Sequence, residues 1–199
     1  MTRVPTEARA ALPASPPRPA LLAGVLAVTL LAAFGCGGAP RQSNNDTTPK
    51  TRSAATGSVV GARAHSFALP DLEGKTFSSA ALAGQVVILD FWATWCPPCR
   101  EEMPDLVRLQ SKYRDQGLQI VGLSLDAGGA RDVAPFADEY NVNFTMLLAN
   151  DELARSFDVT FVPTTLVLDR QGTIVKRFVG ATSLEAFEAA ILPLLASTS

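Results

Sequence analysis

Two cysteines three residues apart, Cys96 and Cys99, are the residues of this chain best suited to chemistry. At the start of a helix, a pair at that spacing closes a small disulfide with little backbone movement. The free N–H groups and dipole of a helix N-terminus favour a nearby anion, so the first thiol is expected to ionise below its ordinary range. An effect of up to about 2 kcal/mol corresponds to roughly 1.5 pKa units, enough for a substantial thiolate population at neutral pH. Cys96 is therefore the candidate nucleophile, and Cys99 the candidate resolving thiol that closes the Cys96–Cys99 disulfide. Pro97 and Pro98 suit a first helical turn, where a missing N–H is tolerated. They also withdraw two possible donors from the thiolate. Asp90 interrupts an otherwise apolar run just upstream. A carboxyl buried there is expected to have a raised pKa and to accept a proton from Cys99, directly or through water. The alternative is a surface acid at a strand end.

Other uses of a Cys-X-X-Cys pair fit poorly. A zinc site needs two further ligands at suitable spacing, and the chain holds only one other cysteine, Cys36, and one histidine, His65. Covalent haem attachment needs histidine directly after the second cysteine, where Arg100 stands. No metal and no bound cofactor is expected; the dithiol is itself the redox centre.

The elements that must position these groups are legible on either side. Val86-Val87-Ile88-Leu89, continued past Asp90 by Phe91-Trp92, reads as a buried strand. Arg100–Gln116 has helical periodicity, with Met103, Leu106, Val107 and Tyr113 on one face and Pro104 expected to kink it. Glu102, three residues after Cys99, can face the same way or lie in solvent.

The stretch Asp90-Phe91-Trp92-Ala93-Thr94-Trp95-Cys96-Pro97-Pro98-Cys99 resembles the active-site segment of thioredoxin-fold proteins. With Arg100-Glu101-Glu102-Met103-Pro104 after it, the segment is most similar to the TlpA/ResA/CcmG group of membrane-tethered, extracytoplasmic thiol–disulfide oxidoreductases. The resemblance runs from about Gly61 to Leu195. It implies an α/β thioredoxin-like fold: a central mixed β-sheet flanked by helices, with an N-terminal β-hairpin and a central strand–helix insertion. It implies a cis Pro163 against the disulfide and a Val162 backbone that offers itself to the substrate chain like an added strand. It places Trp95 on the substrate surface and Glu102 beside the active site, where it would influence thiol acidity and substrate recognition. It favours reduction of disulfide-bonded protein substrates, among them apocytochrome c or a copper-site assembly factor, as in cytochrome c biogenesis. Electrons would come from a membrane reductant of the CcdA/DsbD type.

The remaining chain reads as one domain over residues 59–199. His65–Leu69 and Thr76–Ser78 are expected to form a hairpin around a Pro70–Lys75 turn, with His65 on the surface. Strands are expected over Gln119–Leu125, Phe144–Leu148, Leu166–Leu168 and Thr173–Val179. Helices are expected over Asp132–Tyr140, Asp151–Phe157 and from a Ser183 cap to about Leu195. The alternation argues a parallel-centred α/β sheet.

Charge divides the 199 residues. Residues 1–56 carry six Lys/Arg against two Asp/Glu, and residues 57–199 carry eleven against seventeen. The basic end reads as a targeting region and the acidic remainder as an ordinary domain. Nothing suggests nucleic-acid binding. Ala20–Phe34 is apolar and uncharged, the length of a signal-peptide core. It runs into Ala33-Phe34-Gly35-Cys36, which resembles a bacterial lipobox. A leader over residues 1–35, lipidation at Cys36 and a Gly/Ser/Thr/Asn/Pro-rich tether over 36–58 are expected. An uncleaved anchor over about 20–39 and a freely secreted form are the alternatives. The first two hold the domain to the membrane, on the periplasmic side of a bacterial cell envelope.

Two other functions compete. Peroxiredoxins share the fold and the hairpin, but they place threonine three residues before their reactive cysteine and proline seven before it. Here those positions are Ala93 and Leu89. A non-enzymatic module holding client proteins or a metal would not need the Cys pair, Asp90 and Pro163 together.

Overall fold

The computed structural model describes residues 59–197. The expected leader, Cys36 and the whole of the expected tether lie outside these residues. Among the described residues no helix is long and apolar enough to cross a membrane.

A central strand of seven residues organises the domain. This strand, β3 (Val86–Trp92), is buried along its whole length, as a strand covered on both faces must be. Its residues alternate between two cores. Val87, Leu89 and Phe91 pack with Leu123, Phe157 and Leu166 on one face. Val86 and Ile88 pack with Leu106, Leu109, Phe187 and Ile191 on the other. Asp90 and Trp92 share the parity of Val86 and Ile88, so the strand aims them at the helical face that carries the cysteines.

The neighbours of β3 are β4 (Leu118–Ser124), which runs parallel to it, and β6 (Thr164–Leu168), which runs antiparallel. Outside these lie β5 (Thr145–Leu148), parallel to β4, and β7 (Ile174–Val179), antiparallel to β6. The five-stranded mixed sheet has the order β5-β4-β3-β6-β7. A separate hairpin pairs β1 (Ala68–Pro70) with β2 (Thr76–Ser78). The Asp71 side chain fixes its turn by accepting the amides of Glu73 and Lys75.

The helices are α1 (Pro97–Tyr113), α2 (Ala130–Glu139), α3 (Asp151–Ser156) and α4 (Leu184–Ala196). Helix α2 and strand β5, the strand–helix unit, come between β4 and β6 in the chain, and β5 forms one edge of the sheet. Ser183 caps α4 as expected, accepting the amide of Ala186.

The fold is the α/β thioredoxin-like fold expected, with differences at element edges. Helix α1 begins at Pro97 rather than Arg100, because both prolines take up its first turn. It continues through Pro104 to Tyr113. Helix α2 begins at Ala130 rather than Asp132, since Gly129 at φ 59° supplies the turn into it. His65 lies before β1 instead of within it. It is exposed, and its ring meets Phe157 edge-on at 5.5 Å.

Candidate active site

Cys96 and Cys99 are joined in a disulfide at the N-terminus of α1, with Cα atoms 5.3 Å apart. Cys96 is the N-cap residue of the helix. Pro97 and Pro98 have no N–H, so the first amide that can reach the Cys96 sulfur is that of Cys99, which donates to it at 3.3 Å. That N–H is in place to stabilise a thiolate on Cys96 once the disulfide opens. Both cysteines sit in an apolar cluster with Trp92, Ala93, Met103 and Phe136, against which Val162 packs. Cys99 is fully buried and Cys96 is 3% exposed.

The turn that presents Cys96 is clamped from the neighbouring strand. The carboxylate of Asp126, just beyond β4, accepts the Thr94 amide at 3.0 Å and the Thr94 hydroxyl at 2.6 Å. It also accepts the Ser124 hydroxyl at 2.8 Å. Arg100 adds a second hold. Its guanidinium donates to the Thr94 carbonyl, lies over the rings of Phe136 and Tyr140 at 5.2 and 5.5 Å, and sits 3.7 Å from Glu139. Sequence reasoning missed Asp126. The usable signal was its place just past a parallel strand, at the sheet end where β3 delivers the cysteines.

Two carboxyls on the elements that carry the disulfide are buried, Asp90 of β3 at 1% and Glu102 of α1 at 2% exposure. Each has one oxygen engaged. Asp90 Oδ1 accepts the Thr165 hydroxyl at 3.3 Å, and Glu102 Oε2 accepts the Thr182 amide at 2.9 Å. The other two oxygens, Asp90 Oδ2 and Glu102 Oε1, are buried with no other donor. The two side chains interact with each other, and each bears on the ionisation of the other. Loss of hydration pushes Asp90 up to about 7 and Glu102 up to about 9, and the charge of Asp90 adds to the rise at Glu102. At neutral pH the pair holds at least one proton.

The Val162–Pro163 peptide is cis. Among the described residues, neither the amide nor the carbonyl of Val162 has a hydrogen-bond partner. Val162 and the 68%-exposed Trp95 line one groove. Thus Cys96, Cys99, Asp90, Glu102, Trp95, Pro97, Pro98, Val162 and Pro163 fall at one end of the sheet; Cys36 is outside the described residues. Among those residues no group of three or more His, Cys, Asp or Glu side chains could hold a metal ion.

Residues 60–177 match the model of the AhpC/TSA family. The chain belongs to the AhpC/TSA family. Among characterised relatives, thiol-disulfide oxidoreductase ResA of Bacillus thuringiensis (strain Al Hakam) is 32% identical over 130 residues, 65% of this chain and 75% of that protein. Thioredoxin-like protein YneN of Bacillus subtilis is 35% identical over 130 residues, 64% of this chain and 76% of that protein. Of solved structures, a thioredoxin-family thiol:disulfide interchange protein from Chlorobium tepidum superposes with a TM-score of 0.62 at 33% identity, covering 67% of this chain and 96% of the other. A secreted Mycobacterium tuberculosis disulfide oxidoreductase homologous to DsbE superposes at 0.58 and 26% identity, covering 64% and 96%. This AhpC/TSA member is a ResA-like thiol–disulfide oxidoreductase, and Cys96–Cys99 is its CxxC pair.

Proposed function

We propose that the protein reduces disulfides of extracytoplasmic protein substrates, working from the membrane through its N-terminal segment. The observation that carries the reading is the Cys96–Cys99 disulfide backed by the Asp90–Glu102 carboxyl pair. In the reduced protein, the Cys96 thiolate attacks one sulfur of a substrate disulfide. A mixed disulfide forms and the other substrate sulfur leaves as a thiolate. Cys99 then gives its proton to Asp90, directly or through water, and attacks the Cys96 sulfur. The Cys96–Cys99 disulfide closes and the second substrate thiolate leaves. Two electrons have passed to the substrate.

Glu102 sets the charge that Asp90 meets when it accepts this proton, and Thr165 and Thr182 hold the two acids in place. Cis Pro163 positions Val162, whose free amide and carbonyl align the substrate segment beside Cys96 as an added strand. Pro97 and Pro98 leave the Cys99 amide as the nearest donor to the thiolate. The protein regains its dithiol from a membrane thiol reductant of the CcdA/DsbD type. Apocytochrome c and copper-site proteins are the substrate classes, in cytochrome c-type biogenesis or copper-site assembly. Lipidation at Cys36, or an uncleaved anchor, would tether the domain on the periplasmic face.

Cys99→Ser tests the reading. It should accumulate mixed disulfides with envelope proteins that dithiothreitol releases, and Cys96→Ser should accumulate none. Full function in a Cys96→Ser, Cys99→Ser double variant would sink the redox reading in favour of a binding module. The peroxidase alternative lacks the threonine hydroxyl at position 93 and the proline at position 89, where Ala93 and Leu89 stand fully buried. Turnover with hydrogen peroxide would revive it.

A further inference from the structure

The charged groups around the turn that presents Cys96 are mostly acids. Asp126 holds the turn from beyond β4, Asp90 and Glu102 are buried on β3 and α1, and Glu139 stands on α2. Each, when ionised, opposes a negative charge on Cys96. Asp151 and Arg155 of α3 share a groove with Trp95 and are one acid and one base. Arg100 is the cation hydrogen-bonded to the turn itself. It grips the turn at two points. Its guanidinium donates to the Thr94 carbonyl at 3.4 Å, and its backbone amide donates to the Cys96 carbonyl at 3.2 Å.

Helix α2 holds the guanidinium from the other side. Phe136 and Tyr140 stack on each other at 4.3 Å with ring planes 13° apart, and Arg100 lies over both. Phe136 also meets Trp92 at 4.7 Å, within the apolar cluster that contains both cysteines. A planar cation stacked on two rings and bonded to a carbonyl is fixed in place. Glu139 lies 3.7 Å away with its side chain 63% exposed, so it is a weak counter-ion and leaves most of the charge of Arg100 in force.

We propose that Arg100 is a positioning residue for the exchange: it ties α2 to the turn that presents Cys96 and keeps there a positive charge that favours the attacking thiolate. The proposal rests on the disulfide-exchange reading above and gives α2, the helix of the inserted unit, a part in it. Arg100 takes no proton and touches no substrate atom; it acts through the turn.

The test follows alkylation of the reduced full-length protein by iodoacetamide across the acidic and neutral pH range. The thiolate attacks the methylene carbon of the reagent, a C–S bond forms and iodide leaves. Peptide mapping separates modification at Cys96 from that at Cys99 and Cys36. In Arg100→Gln the pH midpoint for Cys96 should rise by about half a unit, since a part-exposed charge is screened, and the rate below the midpoint should fall about threefold. Arg100→Lys keeps the charge without the stacked plane, so it should recover part of that shift. Tyr140→Leu keeps Arg100 and removes one ring beneath it, so its midpoint should rise by less than that of Arg100→Gln. The urea midpoint of each oxidised variant, measured alongside, reports lost packing separately. Any of three results would overturn the proposal: coincident pH profiles for the wild type and Arg100→Gln, whatever the urea midpoints; coincident profiles for Arg100→Gln and Arg100→Lys; or an unmoved profile in Tyr140→Leu. A reduced wild-type protein that leaves Ellman's reagent intact would instead overturn the exchange reading.

Discussion

The backbone amide of Thr182, at the foot of α4, donates to Oε2 of Glu102 at 2.9 Å across 80 residues of sequence. It fixes the glutamate with its other oxygen buried, where the charge of Asp90 adds to the rise of its pKa. The folded protein thus keeps protons that the unfolded chain releases above the ordinary carboxylate range. Stability from this source is fully present below about pH 4 and is lost as pH rises through about 7 and about 9, the values of Asp90 and Glu102. The urea midpoint of the oxidised protein should therefore fall between pH 5 and pH 9. In Glu102→Gln, which can still accept from Thr182 and donate to Asp90, the fall should be shallower. Identical pH profiles for the two proteins would remove the pair from the account.

Asp90→Asn should act on one step of the exchange. Asparagine keeps the shape and can accept from Thr165, but it cannot take the proton of Cys99. Closure of the mixed disulfide should slow by about 100-fold, within the usual range for a lost general base. The first attack by Cys96 should change far less. Stopped-flow oxidation of the reduced protein by a small disulfide separates the two phases, and equal slowing of both would contradict the assignment.

Asp126→Ala should loosen the turn that carries Trp95 and Cys96. It removes the acceptor for the Thr94 amide, the Thr94 hydroxyl and the Ser124 hydroxyl. Losing a carboxylate acceptor and stranding part-buried donors costs about 2 kcal/mol. Urea unfolding should show that loss. Since the turn presents the nucleophile, the Cys96–Cys99 potential should move as well. An unchanged potential alongside lost stability would limit Asp126 to a structural role.

The sequence was most informative where one residue type answers one physical demand. The apolar run of β3, the cysteine spacing and the prolines of the first helical turn lead directly to the strand, the disulfide and the start of α1. The burial of Asp90 followed from its place inside that run. Glu102 was ambiguous, because helical spacing puts it on the side of Cys99 without showing what covers it. What covers it includes the Thr182 amide, and a backbone donor leaves no trace in residue type. The Asp126 clamp depends on β4 lying parallel to β3 with Ser124 opposite Trp92, a register that no local pattern specifies.

The central claim is that Cys96 and Cys99 form a reducing dithiol. The most direct test is their reduction potential, measured by equilibrating the protein in dithiothreitol and glutathione buffers and quantifying the Cys96–Cys99 disulfide. The account predicts a value near that of thioredoxin, about −270 mV, which makes the protein a donor that needs an electron supply. A value near that of DsbA, about −120 mV, would make it an oxidant and contradict the proposed direction of electron flow.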